Sequence, residues 1–315
     1  MKKSMQNATH IEGFLYQHNL SLKVSGENSK NPGTQFINGT IDIATDDAMT
    51  NIVTVHYSYV TPTYAKSGSP NATFNVLQNI INGVTCNVVE HGADKAAKVR
   101  IDSQIGVNEF YSNRTGTEEL VSVKRNEGGF IHVVQTIAAS EGLRDTFAAD
   151  MIITKCVRQE ADEERNRPER MIVHGYVFDF RNALLPVDMM LYNAGGMDHF
   201  EAFEASEKTP VFVNVNGHQV SKTVTTVQKS ESTGWGESFA QEVTSTQREF
   251  VITGVKDPYE WDLEETITAQ EYKEALQNRE VAVAEIKRRQ DEYNASRAQT
   301  QAPAATTGEA NGFNF

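Results

Sequence analysis

Cysteine is almost absent from this chain of 315 residues, which contains only Cys86 and Cys156. Neither belongs to a CxxC pair or to a zinc-finger spacing, so we expect two reduced structural thiols and no metal site. No apolar run reaches the roughly 18 residues that a membrane-spanning helix needs. The opening MKKSMQNATH has two lysines but no apolar segment behind them, so we expect no secretory signal. The interpretation is a cytoplasmic protein without membrane contact.

Signatures of catalysis are also missing. The chain has no phosphate-binding loop, no HExxH, no GxSxG and no dinucleotide fingerprint, and Gly234-Trp235-Gly236 is an isolated GxG. The histidines and cysteines show no nucleophile–base spacing, although such partners can be far apart in sequence. We therefore expect a protein that is not an enzyme and needs no cofactor. An active site assembled from scattered residues stays open as an alternative.

Positive charge is in deficit, because 29 Lys and Arg residues stand against 42 Asp and Glu residues, for a net charge of −13. The deficit is concentrated in residues 141–266, which hold 12 basic and 23 acidic residues, whereas residues 1–140 hold 11 and 12. Fields are screened beyond about 8 Å at physiological salt, so the local surface decides what a region binds. The run from Lys95 to Arg125 has six basic and four acidic residues and is mildly positive.

The first half of the chain is rich in segments typical of β-strands. QFINGTIDIAT, NIVTVHYSYV, KVRIDSQIGV and FIHVVQTI show period-two alternation or many β-branched residues, and Gly, Asn, Pro or Asp clusters separate them. Between the second and third of these, NATFNVLQNIING has apolar residues at helical spacing. Asn71 can cap this segment and Gly83 can end it, so the pattern predicts one short helix within a series of strands.

A similar series recurs in the second half in the same order. FINGTIDI (36–43) is echoed by IVHGYVFD (172–179), each around a central glycine, Gly39 or Gly175, and a short helical segment follows in each half. Five or six strands with a helix between the third and fourth describe a small Greek-key barrel of the oligonucleotide-binding (OB) type. A glycine within a strand permits the bend that closes such a barrel. Two unrelated β-rich domains are the alternative, since the identities are few.

We therefore predict a mainly β protein with two tandem OB-fold-like Greek-key barrels, a C-terminal helix and a flexible tail. The predicted helix starts at the capping box Thr268–Glu271 and has a thin apolar stripe. The tail is small and polar apart from Phe313 and Phe315. The predicted division is 1–140 for the first barrel, 141–266 for an acidic second barrel, 267–297 for the helix and 298–315 for the disordered tail.

Aromatic and basic residues concentrate in the first predicted barrel. Proteins that hold single strands without reading sequence stack bases on aromatic rings, at about 1–3 kcal/mol per base, and place cations along the phosphates. The stretch 106–130 offers both in what we interpret as a hairpin projecting from the barrel. Two alternatives stay open: the tyrosines can belong to the core, and the hairpin can cover its own barrel. The candidate binding residues are Tyr57, Tyr59, Tyr64, Lys98, Arg100, Phe110, Tyr111, Arg114, Lys124 and Arg125.

Three segments of residues 1–140 also carry a resemblance to a known family. ATFNVLQNII, ADKAAKVRIDSQIGVNEFYS and LVSVKRNEGGFIHVV resemble segments of the single-stranded DNA-binding proteins of bacteriophages and related mobile elements. The resemblance implies an OB fold, the coating of exposed strands in replication and recombination, and a location in the cytoplasm of a bacterial host. In bacterial single-stranded DNA-binding proteins the tail tip recruits replication enzymes, which implies partner binding by Phe313 and Phe315. The acidic run that normally precedes such a tip is missing here.

The leading hypothesis is a sequence-tolerant binder of single-stranded DNA whose first barrel grips the strand. The acidic second barrel is assigned to self-association or contact with a partner protein, and we expect a homo-oligomer. The alternative function is a structural phage protein, a capsid or tail component with two β-domains and an assembly helix. The run TVTTVQKSESTGWGESFAQEVTSTQ (223–247) is typical of that second class.

Overall fold

The chain folds mainly into β-strands in a computed structural model that describes residues 5–27, 29–114, 116–162, 167–229, 240–262 and 266–301. The first half contains β1 (Asn7–Val24), β2 (Gln35–Ala44), β3 (Ile52–Val60), β4 (Lys98–Ser112) and β5 (Glu119–Val134). Helices α1 (Ala72–Ile81) and α2 (Val88–His91) and a 3-10 turn (Ala93–Lys95) stand between β3 and β4.

These five strands close into a barrel. β1 pairs with β2 and β4, β2 with β3, and β4 with β5, all antiparallel. β3 and β5 close the ring as parallel neighbours, with Val55 opposite Asn126 and His56 opposite Glu127. A ring in the order β1-β2-β3-β5-β4, with helix α1 between β3 and β4, is a Greek-key barrel of the OB type. The apolar side of α1, at Phe74 and Leu77, packs into the core of this barrel.

The second half repeats this arrangement. It contains a 3-10 turn (Glu141–Leu143), β6 (Asp145–Gln159), β7 (Arg170–Phe178), β8 (Leu184–Leu191), α3 (Ala194–Glu201), β9 (Val211–Lys229) and β10 (Ala240–Val255). The ring order is β6-β7-β8-β10-β9, with β9 returning to β6 and a parallel contact between β8 and β10. Each strand and the intervening helix therefore have a counterpart in the first barrel.

The predicted fold class is confirmed by this topology: the chain is mainly β, with two OB-type barrels in tandem and a C-terminal helix, α4 (Ala269–Gln301). Helix α4 continues past the predicted end at 297 because Ala298 and Gln301 favour helix and the next proline is Pro303. The rest of the predicted tail, 302–315, lies outside the described residues. The proposed division of the chain into domains stays a prediction.

Local sequence signals account for the ends of the helices. The Asn71 side chain accepts a hydrogen bond from the Thr73 N–H at 3.1 Å and caps α1, as predicted. At the start of α4, the Thr268 Oγ1 accepts from the Glu271 N–H at 3.1 Å, and Glu271 accepts from the Thr268 N–H at 2.9 Å. This reciprocal pair is the predicted capping box. None of the described helices is both long and apolar enough to span a membrane.

The two barrels are joined closely. The first residues of β1 pair with β6, from Asn7 opposite Ala149 to Ile11 opposite Asp145, so one continuous sheet runs through both barrels. The β4–β5 hairpin then reaches the second barrel, where Ile105 is fully buried in the second core. The two barrels therefore meet along a cleft that is lined by residues of both.

Candidate nucleic-acid interface

The outer face of β2 and β3 in the first barrel carries a pair of aromatic rings. Alternation along β2 turns Ile37 into the core and its neighbour Phe36 outward. On β3, Val55 lies in the core, whereas Tyr59, beyond the irregular pairing at Gly39, lies outside it. The Phe36 and Tyr59 ring centroids are 4.5 Å apart with the planes inclined by 32°, and Tyr59 is 47% exposed. Its hydroxyl lies 3.0 Å from the Ser25 hydroxyl in the β1–β2 loop. This pair forms a partly exposed aromatic surface beside that loop.

Tyr57 does not belong to this surface. Its side chain is 2% exposed within the first core, and burial raises the pKa of its hydroxyl, which has no hydrogen-bond partner among the described residues. Gly39 stands opposite Tyr57 in the β2–β3 pairing, and a bulge follows between Ile37 and Gly39. A buried ring offers no face to a base, so the predicted stacking role of Tyr57 is corrected to a core role.

The remaining predicted residues of the strand region lie apart from one another. Tyr64 is exposed in the loop after β3, where its backbone bonds with Gly68 and Ser69. Lys98 lies over the Phe14 ring at 5.8 Å, and Arg100 is exposed two residues further along β4. Ten residues of extended strand separate Arg100 from Phe110, a distance of about 33 Å. Arg100 and Phe110 therefore cannot contact the same nucleotide.

The predicted projecting hairpin, β4–β5, is packed against other parts of the chain on one side. The Tyr111 backbone N–H donates to the Gln290 side chain of α4 at 2.9 Å, and the Gln290 amide donates back to the Tyr111 carbonyl at 2.6 Å. The Lys287 ammonium lies 5.3 Å from the Tyr111 ring centroid and pairs with Glu118. Tyr111 is thus covered by α4, whereas Phe110 and the turn residue Arg114 are exposed.

The other end of the hairpin contributes to a cleft between the barrels with a volume of about 240 Å³. Its wall from the first barrel includes His56 on β3 and Arg125 on β5, and its wall from the second includes Arg248 on β10. Arg125 pairs with Glu127 at 2.9 Å, and Lys124 donates to the Asp188 carbonyl of β8. Burial lowers the pKa of Lys124. Lys124 therefore ties the hairpin to the second barrel.

His56 is the histidine that lines this cleft. Burial lowers its pKa, and the positive charges of Arg125 and Arg248 lower it further, against the opposing charges of Glu127 and Asp42. In the unfolded chain His56 takes up a proton near pH 6.5, whereas the folded protein resists that proton until lower pH. Protonation of His56 therefore favours the unfolded chain as the pH falls below 6.5.

We expect His56→Gln to remove this acid sensitivity. As the pH is lowered from 7.5 to 5, the urea midpoint of the wild type should fall further than that of the variant, because the glutamine cannot be protonated. Comparing the two proteins at each pH cancels the contributions of the other titrating groups. A difference between the midpoints that stays constant over this range would contradict the assignment.

Sequence reasoning missed three residues of this region. Phe36 alternates with core residues of β2, and only the tertiary structure sets its ring against Tyr59. His56 was available from its position between Val55 and Tyr57, since alternation places it outside the barrel. Arg248 lies in the acidic half of the chain, and nothing in the sequence connects it with Arg125. The candidate partner-binding residues Phe313 and Phe315 lie outside the described residues. Within the described residues, no group of three or more acidic, His or Cys side chains could hold a metal ion.

The strand orders define the class: a protein with two tandem OB-fold barrels, whose first barrel has a partly exposed aromatic pair on β2 and β3. The chain belongs to the YorF family, whose family model matches residues 6–289. Comparison with curated proteins gave no match.

Two solved structures of the single-stranded DNA-binding protein from Thermus aquaticus are similar to the chain. A deletion mutant of that protein has a TM-score of 0.45 and 9% identity, with 84% of this chain and 99% of that one covered. The wild type has a TM-score of 0.44 and 8% identity, with 83% and 97% covered. At these values the likeness carries no weight for function, and the fold assignment depends on the strand orders above.

Proposed function

We propose that the protein binds single-stranded DNA without sequence preference, on the outer face of β2 and β3 in the first barrel. The observation that carries this proposal is the pair formed by the exposed Tyr59 ring and the half-buried Phe36 ring next to the β1–β2 loop. In OB barrels generally, strands 2 and 3 and the loops 1–2 and 4–5 form the face that meets oligonucleotides. Aromatic rings there can stack bases of any kind, because every base has a flat π-face.

The wider role follows from the same proposal. Coating of exposed strands in replication or recombination, in the cytoplasm of a bacterial host, is the role we assign to such a non-enzymatic binder. Self-association and recruitment of partner proteins through Phe313 and Phe315 stay predictions.

The test of this proposal is a titration of labelled oligo-dT, with a duplex of the same length as the comparison, over a series of salt concentrations. We expect binding to the single strand at low salt and weaker binding to the duplex, since paired bases cannot reach the rings. The log–log dependence on salt should have a slope of about −0.7 for each phosphate contacted. Absence of binding to oligo-dT at low salt would overturn the proposal.

Removing one ring should weaken binding without unfolding the barrel. We expect Tyr59→Leu to raise the Kd for oligo-dT by roughly 5- to 150-fold, the equivalent of about 1–3 kcal/mol for one stacked base. Phe180→Leu is the matched control, because it removes an exposed ring from the turn between β7 and β8. Equal affinities of the two variants would contradict the assignment of Tyr59, and urea midpoints would establish that both variants are folded.

A further inference from the structure

The cleft between the barrels brings together His56 and the positively charged side chains of Arg125 and Arg248. Within the described part of the chain, neither His56 nor Arg248 has an ion pair or a side-chain hydrogen bond, and Arg125 has one carboxylate partner, Glu127. Like charges in a partly desolvated cleft repel each other. Burial lowers the pKa of His56, and the positive charges of Arg125 and Arg248 lower it further because they repel its protonated form.

The carboxylate that also lines the cleft does not neutralise these cations. Glu249 accepts a hydrogen bond from Arg170 at 2.8 Å and another from the Tyr192 hydroxyl at 2.5 Å. Both Glu249 oxygens are thus occupied by groups other than His56 and Arg248. The cleft is therefore a local region of positive potential on a protein of net charge −13.

The floor of the cleft has hydrogen-bonding capacity to spare. Asn126 and Gln219 are 5% and 4% exposed, and the Asn126 amide donates to Gln219 Oε1 at 2.7 Å and to the Thr54 carbonyl at 3.2 Å. Gln219 Nε2 and Asn126 Oδ1 have no partner among the described residues. A buried polar atom without a partner costs about 1–3 kcal/mol, so the contact between the barrels is not satisfied by its own atoms alone.

We propose that this cleft is a phosphate-binding site, in which His56 and Arg125 of the first barrel and Arg248 of the second hold one backbone phosphate of the bound strand. The inference rests on the proposed function and adds the second barrel to the DNA-binding surface. An anion there offsets the mutual repulsion of the two arginine charges, and the neutral His56 ring can donate one N–H to it. An arginine offers a planar fork of donors that matches phosphate oxygens.

The cleft and the aromatic pair both include residues of β3. His56 and Tyr59 lie three residues apart on β3, which corresponds to about 10 Å along the strand. A single strand that stacks a base on Tyr59 can therefore reach the cleft with a phosphate of a neighbouring nucleotide. The second barrel then contributes to DNA binding through Arg248, although the excess of acidic residues in this barrel predicts repulsion of the DNA backbone.

The test compares Arg248→Gln with the wild type in an oligo-dT titration over a salt series. We expect the variant to bind about tenfold more weakly at low salt and to lose about 0.7 from the magnitude of the log–log slope, as one phosphate contact requires. Arg181→Gln is the matched control: it removes the same charge from an exposed arginine of the second barrel, outside the cleft. The control should keep the wild-type affinity and slope.

The outcomes separate the two proposals. If the wild type binds oligo-dT and Arg248→Gln has the same slope as Arg181→Gln, the phosphate site is wrong and the proposed function stands. If the wild type fails to bind oligo-dT, the cleft is tested with inorganic phosphate by following the His56 ring signals by NMR. A bound anion should raise the pKa of His56 in the wild type and in Arg181→Gln, but not in Arg248→Gln. An unchanged pKa in all three would overturn the site.

Discussion

Gly39→Ala is expected to destabilise the first barrel by about 4 kcal/mol or more. Gly39 has a φ of +130°, a conformation that residues with a side chain rarely adopt. A Cβ at this position would also lie 2.0 Å from the carbonyl oxygen of Asn19 in β1, which is backbone and cannot rotate away. The substitution therefore forces β1 and β2 apart where they pair. Chemical denaturation followed by circular dichroism measures the effect.

Three further substitutions separate the causes. Gly175→Ala places a Cβ 2.1 Å from the Ile152 carbonyl oxygen at the corresponding position of the second barrel, so it should also destabilise by several kcal/mol. Gly33→Ala has the positive φ, +71°, without any atom within 4 Å, and should cost only about 1 kcal/mol. Gly26→Ala has neither feature and should be nearly neutral. A Gly39→Ala variant as stable as Gly33→Ala would contradict the close approach of β1 and β2.

Glu109→Gln is expected to have the second largest effect, a loss of about 3 kcal/mol. Arg279 of α4 donates two hydrogen bonds to Glu109, at 2.6 and 3.1 Å, with side chains 14% and 10% exposed. Burial alone raises the pKa of Glu109, but hydrogen bonds from Arg279 and from Ser122 and the charge of Arg279 outweigh it, so the pKa is lowered. The neutral glutamine leaves the Arg279 charge nearly buried and without its counter-ion.

The measurement is urea unfolding together with hydrogen exchange of α4, because this ion pair holds α4 on the β4–β5 hairpin. Glu285→Gln is the control: Glu285 pairs with Arg288 and Arg289 on the exposed side of α4, and its loss should leave the exchange rates unchanged. The double variant Glu109→Gln, Arg279→Gln should recover part of the loss, since it removes the uncompensated charge. Faster exchange in the control than in Glu109→Gln would contradict the docking role.

The lowered pKa of Glu109 also defines the pH range over which the pair stabilises the protein. Its folded pKa lies below the ordinary value near 4.5, so the contribution is complete above that pH and is lost as the pH falls through the folded pKa. At neutral pH the full difference between Glu109→Gln and the wild type should be observed. As the pH is lowered below 4.5 that difference should shrink, because the Glu109 carboxyl then takes up a proton in the unfolded chain while the folded protein resists it.

Exposure of the candidate aromatic residues could not be read from the sequence. Tyr57 and Tyr59 are two residues apart and would share a face of a regular strand, but the β2–β3 pairing is irregular near Gly39. Tyr57 is buried and Tyr59 exposed as a result. Likewise, the aromatic and basic residues of the 106–130 stretch indicated a free hairpin, whereas its Ile105 and Lys124 contact the second barrel and its Tyr111 contacts α4.

Local patterns of the sequence by themselves determined the strand series, the helix between the third and fourth strands of each half, the caps of α1 and α4, and thereby the two OB-type barrels. These features depend on periodicity and on neighbours within a few residues, which a single sequence displays directly. Only the tertiary structure decided which rings lie outside and that Arg248 faces His56 and Arg125. The reason is that side-chain exposure and the meeting of charges between barrels depend on strand register and on contacts between residues more than a hundred positions apart.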